Sequence, residues 1–132
     1  MKTEEVPQDG GILEKSGVRD VCYAVDENGD YKQVISVGWD PKNDAIGYAW
    51  QTIFDECEEI KKEVIAGKKS PLAYHIHKLV MTPDILAAYS GFTKHQIKKW
   101  CKAKHFNKLS NQELELLARA LKIELTQLLT TD

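Results

Sequence analysis

The sequence predicts an α+β fold, with an amino-terminal β-hairpin and a long helix followed by an all-α bundle of five helices. Three observations carry this expectation. Two short runs rich in β-branched and aromatic residues, 21–25 and 31–39, flank a segment holding Asn28-Gly29, a pair that tolerates the positive φ of a hairpin turn. Between residues 46 and 64 the apolar side chains fall at intervals of three and four, the period of one helix face. Beyond residue 70, short apolar helical segments alternate with cap residues, prolines and glycines. With 132 residues, 42% of them apolar, the chain has material for one ordinary core or two very small ones.

Residues 1–18 carry Pro7, Gly10, Gly11 and Gly17 with little apolar periodicity, and read as a flexible arm holding at most a short ordered piece. Residues 19–67 supply the hairpin and the long helix. Alternation sets Val21, Tyr23 and Val25 on one face of the first strand, and Tyr31, Gln33, Ile35 and Val37 on one face of the second. A two-stranded sheet is marginal alone and needs a cover, which the following helix is expected to give. That helix should start at Asn43 or Asp44 as cap, with Ile46, Ala49, Trp50, Ile53, Cys57, Ile60 and Val64 in one stripe. Trp39 and Trp50, beside apolar neighbours, read as core. Asp55, Glu56, Glu58 and Glu59 read as a solvated face, and Gly67 ends the helix. One hairpin cannot bury so long a stripe, so part of it is expected on the carboxy-terminal half or on a second copy. The segment is therefore expected to serve dimerisation or partner docking.

Residues 70–130 hold the bundle. Ser70 caps its first helix with Pro71 in the first turn, and Leu72, Ile76, Leu79 and Val80 supply the inner face. Thr82 caps a second helix that has Pro83 at its first position and ends at Gly91. Thr93 caps a third, in which Ile97, Trp100 and Cys101 face inward. Ser110 and Glu113 make a capping box for the fourth, with Leu109 stapled to Leu114 across its first turn. Leu114, Leu117, Ala118 and Leu121 line that helix's inner face, and a last turn with Ile123, Leu125, Leu128 and Leu129 closes the bundle.

Charge is segregated along the chain. The net charge of −2 divides into −8 over residues 1–65, with seven Lys/Arg against fifteen Asp/Glu, and +6 over residues 66–132, with eleven against five. Lys94, Lys98, Lys99, Lys102, Lys104 and Lys108, with His95 and His105, lie between residues 93 and 108 with no carboxylate among them. Such a local excess suits either a polyanion or a solvated lysine-rich face.

The pattern of residues 85–100 narrows the choice. A short helix with Leu86 and Ala87 inward, a glycine turn at Gly91, the apolar plug Phe92 and a second helix anchored by Ile97 and Trp100 is a brace-and-probe pair. The run Leu86, Ala87, Gly91, Phe92, Thr93 resembles the lambda-repressor-like (Cro/Xre) helix-turn-helix family, and "LELLARALKIELTQLL" resembles its closing helices, so the likeness covers about residues 72–129. It implies a DNA-binding transcriptional regulator that sets the helix of residues 93–102 in the major groove of duplex DNA. Base contacts then fall on Lys94, His95 and Lys99, and phosphate or flanking contacts on Thr82, Thr93, Gln96, Lys98, Lys102 and Lys104. Pro83, Ser90, Ala103 and a longer loop over residues 102–109 depart from the family pattern. The first half resembles only small uncharacterised bacterial proteins that join a hairpin and helix to such a module, which implies no activity.

Other chemistries find little support. Cys22, Cys57 and Cys101 sit singly in apolar patterns, as reduced thiols do. His75 and His77 stand about 200° apart around a helix and are not placed to share a metal. No phosphate loop or nucleophile–base spacing occurs, so neither an enzyme nor a cofactor is expected. With no membrane-length apolar stretch and no signal-peptide layout, a cytoplasmic homodimer is expected, with the acidic half open to a protein partner. The rival reading is a protein-interaction adaptor that keeps the helix-turn-helix fold without sequence-specific DNA binding.

Overall fold

The computed structural model describes residues 1–132 apart from the side chain of Ile12, and the chain divides into two units, Met1–Gln51 and Thr52–Asp132. In the first unit, β1 (Asp20–Val25) pairs antiparallel with β2 (Tyr31–Ser36), in a register that sets Val21 opposite Ile35 and Tyr23 opposite Gln33. The turn is built on Asp26, whose Oδ1 accepts the backbone N–H groups of Asn28 and Asp30 at 2.9 and 3.0 Å. Gly29 has positive φ but Asn28 does not, because the aspartate closes a five-residue loop that needs only one left-handed residue. Lys32 reaches the same carboxylate at 2.6 Å. That hydrogen bond, reinforced by the backbone donors, holds Asp26 below the ordinary carboxylate pKa.

The face of Val21, Tyr23, Tyr31 and Ile35 lies open, whereas Ala24 and Ser36 on the other face are buried. Residues 1–18 hold a 3-10 turn at Thr3–Glu5 and a short helix α1 (Ile12–Ser16), and tie themselves to this hairpin through backbone groups. Lys2 and Gln8 form parallel bridges with Val25 and Gly38, the Gln8 amide donates to the Ile35 carbonyl, and the buried Ser36 hydroxyl donates to the Pro7 carbonyl at 2.6 Å. Val6 and Leu13 are thereby buried. At Gly38 an added Cβ would stand 2.0 Å from the Gly10 carbonyl oxygen, so the two segments cross at a distance only glycine permits.

The long helix α2 (Asp40–Ile65) starts three residues before the expected cap. Asn43 instead spends its side-chain amide on the Gly10 carbonyl at 2.8 Å, and its N–H donates to the carbonyl of Trp39 within the helix. Trp39 and Trp50, expected in a core, are exposed, and so are Tyr48 and Phe54. Cys57 is the buried residue of the stripe.

In the second unit α3 (Pro71–Lys78), α4 (Pro83–Ser90), α5 (Lys94–Trp100), α7 (Asn111–Leu121) and α8 (Leu125–Leu128) are the five expected helices, and α6 (Ala103–Phe106) fills the long loop. One core joins them, made of Leu72, Ile76, Leu86, Ile97, Trp100, Phe106, Leu114, Leu117, Ala118, Leu121 and Leu128. The first expected helix is two residues shorter than its apolar pattern. It stops at Lys78, and Leu79 and Val80 turn to solvent, Val80 with a φ of +53° that strains a β-branched residue. Ser70 occupies the cap position without capping. Its fully buried hydroxyl donates to the Trp100 carbonyl at 2.6 Å, and its N–H to the Cys101 carbonyl at 2.8 Å. His75 donates to the Thr130 carbonyl and His77 to Glu56 on α2, each at 2.7 Å, so the two imidazoles serve different neighbours. The cysteines are free, and burial pushes the Cys57 and Cys101 thiols above their ordinary pKa. No helix among the described residues is long and apolar enough to cross a membrane.

Candidate nucleic-acid interface

Two anchors fix the pose of α5. Ile97 and Trp100 enter the core, Trp100 against Phe92 in an edge-to-face pair with centroids 4.8 Å apart, while Leu86 of the packed α4 is fully buried. Gly91, at φ +79°, ends α4 and lets the chain turn sharply into Thr93. There a reciprocal capping box forms. The Thr93 hydroxyl accepts the Gln96 N–H at 3.2 Å, and Gln96 Oε1 accepts the Thr93 N–H at 2.9 Å. With Ile97 and Trp100 turned in, the 3.6-residue period turns Lys94, His95, Lys98 and Lys99 out to solvent.

His95, Lys98, Lys99, Lys102 and His105 line one open cleft of about 390 Å³. No carboxylate lines it, so it offers hydrogen-bond donors and positive charge to oxygen acceptors. Partial desolvation, then the ammonium groups of Lys99, Lys104, Lys108 and Lys102, lower the His105 pKa below its ordinary 6.5. Lys94 points elsewhere, with its ammonium 2.8 Å from the Asp84 carboxylate in the first turn of α4. Thr82 begins that helix, its hydroxyl accepting the Ile85 N–H at 3.3 Å, and the Gln96 carbonyl oxygen is committed to the Thr93 cap. Lys104 faces a second cleft of about 350 Å³, lined also by Lys102, Lys68, Lys69, Gly67 and Glu63.

Four of the nine sequence-derived contact residues therefore share one cleft, whereas Lys94 pairs with Asp84, Lys104 lines the second cleft and Thr82 caps α4. Asp84, His105, Lys68 and Lys69 were not among the nine. His105 lies within the cationic run and was legible from it, whereas the other three are brought close only by the fold. Among the described residues no group of three or more His, Cys, Asp or Glu side chains is placed to hold a metal ion.

A short brace helix, a glycine turn and a cationic helix anchored on its inner face make a helix-turn-helix. Residues 73–132 match the family described as the Cro/C1-type HTH DNA-binding domain, which bears out the likeness read from Leu86, Ala87, Gly91, Phe92 and Thr93. Comparison with curated proteins and with solved structures gave no match.

Proposed function

We propose that this protein is a cytoplasmic, non-enzymatic transcriptional regulator that binds duplex DNA as a homodimer, with α5 in the major groove. The observation that carries the reading is the carboxylate-free cleft that His95, Lys98 and Lys99, on a helix whose pose Ile97 and Trp100 fix, form with Lys102 and His105. Lys94, His95 and Lys99 address base edges. Lys98, Lys102, Lys104, Thr82, Thr93 and the Gln96 amide address phosphates and flanking bases, since lysine donates equally well to guanine O6/N7 and to phosphate. For the homodimer, support comes from the open apolar face of Val21, Tyr23, Tyr31 and Ile35 in the first unit, a feature that favours association. Titrating the full chain against a ~30 bp duplex at moderate salt tests the reading, because a site one or more helical turns long fits within it. No complex at micromolar protein would overturn it in favour of an adaptor.

Two predictions arise from the charges around α5. Asp84 holds the Lys94 ammonium and would face the same polyanion, so Asp84→Asn is expected to raise DNA affinity by about two- to tenfold at low salt. The same change removes a carboxylate from the first turn of α4, so stability should fall slightly, by about 0.3–1 kcal/mol. Binding isotherms and thermal melts on one variant read both signs.

The second concerns pH. With a pKa below 6.5, His105 is mostly neutral at pH 7 in the free protein, and a phosphate in its cleft favours the charged form. Binding then takes up a proton, so affinity should rise as pH falls through and below 6.5, more steeply than in His105→Gln. Stability of the free protein moves the other way. The unfolded chain binds the proton more readily, so this contribution is lost as pH drops through the same window. Parallel pH slopes for the two proteins would refute the assignment.

A further inference from the structure

Lys68 and Lys69 lie about 25 residues before the start of α5 in sequence, yet the fold carries them to its far end. Lys69 forms an isolated antiparallel bridge with Lys102, and the next residue, Ser70, is locked to the carbonyls of Trp100 and Cys101 by its hydroxyl and its N–H. The hydroxyl is fully buried, so the hinge backbone is held beside the α5–α6 junction. The result is the second cleft, lined by Lys68, Lys69, Lys102 and Lys104 with one carboxylate residue, Glu63. Lys102 also lines the cleft of α5, so the two form one cationic track.

We propose that the hinge lysines Lys68 and Lys69, with Lys102 and Lys104, form a second phosphate-binding site that extends the DNA interface beyond α5, and that Glu63 competes with the phosphate for Lys69. The Glu63 Oε2 atom is shielded from solvent and lies 2.7 Å from the Lys69 ammonium, an ion pair without hydrogen-bond alignment. An incoming phosphodiester offers Lys69 the same charge with freer geometry. The ligand is the backbone of the duplex that α5 reads, because a track continuous with α5 through Lys102 meets the next phosphates along that duplex. Lysine is suited to this role, its ammonium acting as a mobile point charge that asks no fixed orientation of the phosphate.

This inference rests on α5 binding DNA, and the test separates the two. The full-length protein, Lys68→Ala/Lys69→Ala, Lys94→Ala/Lys99→Ala and Glu63→Gln are titrated with one 30 bp duplex at several salt concentrations, each checked by thermal melting. Losing two phosphate contacts should make the log–log salt slope shallower by about 1.8 and weaken binding about tenfold or more near physiological salt. Glu63→Gln should bind several-fold more tightly, an opposite sign that a misfolded variant would not give. Lys68→Gln/Lys69→Gln should match the alanine pair, since charge and not side-chain bulk is what the site needs. The inference is overturned if the hinge variants keep the parent slope and affinity while Lys94→Ala/Lys99→Ala loses binding. Absence of binding by the unaltered protein overturns the reading of α5 instead, and this proposal with it.

Discussion

Lys94→Ala/Lys99→Ala should weaken DNA binding by at least about 30-fold and lower the melting temperature by no more than about 8 °C. A well-placed contact to a base or phosphate is worth about 1–3 kcal/mol, so two contribute roughly 2–6 kcal/mol, and each 1.4 kcal/mol is a factor of ten. Both side chains are exposed on α5, outside the core. The one ion pair lost, Lys94 with Asp84, is solvent-exposed, and such pairs contribute about 0–1 kcal/mol to folding. Part of the loss in affinity should be recoverable in the Lys94→Ala background through Asp84→Asn, which removes the carboxylate left behind. Isothermal titration or mobility shift, with a melt of the same sample, checks the expectation. Unchanged affinity in a folded double variant would remove α5 from the interface.

Trp100→Ala should have the largest effect on stability. The ring is buried and packed edge-to-face on Phe92, and truncating a buried tryptophan costs about 3–5 kcal/mol. Small domains have only about 5–15 kcal/mol in total, so much of the folded population is at risk. At about 4–8 °C per kcal/mol for a domain of this size, the melting transition of the second unit should fall by roughly 12–40 °C. DNA binding should be lost with it, because the same ring fixes the pose of α5. A transition displaced by less than about 5 °C would show that Trp100 does not anchor the helix as described.

What the sequence disclosed depended on whether the signal was local. Thr82 and Thr93 cap the helices they precede, Gly91 takes the left-handed turn, and Ile97, Leu114, Leu117 and Leu121 are core, because caps and helical periods act over three or four residues. Polar residues with distant partners misled. Ser70 and Asn43 look like caps by type and position, but the first hydroxyl is spent on Trp100 and the second amide on Gly10, thirty or more residues away. Period alone also overran at Leu79 and Val80. It marks which residues would face inward if the helix continued, and carries no sign that the chain turns at Lys78.

The site divided along the same line. The lysines of α5 were legible as a run without carboxylates, while the Asp84 partner of Lys94 lies ten residues upstream, across a turn. Lys68 and Lys69 gave no sequence signal at all, since their nearness to Lys102 follows from one antiparallel bridge and the buried Ser70 hydroxyl. The pairing of residues 1–18 with the hairpin was equally hidden, because it rests on backbone bridges to Val25 and Gly38 and on the glycine crossing at Gly38.

The most direct test of α5 as a sequence-reading DNA element is selection from a random duplex library with the full-length protein near ~150 mM salt, followed by affinity against salt for the selected duplex. The expected result is a two-fold symmetric site with half-sites about 10 bp or a multiple apart, bound with a log–log slope of about −4 or steeper. Failure to enrich any sequence, with negligible binding to duplex DNA at that salt, would contradict the account and leave a helix-turn-helix fold that serves protein partners.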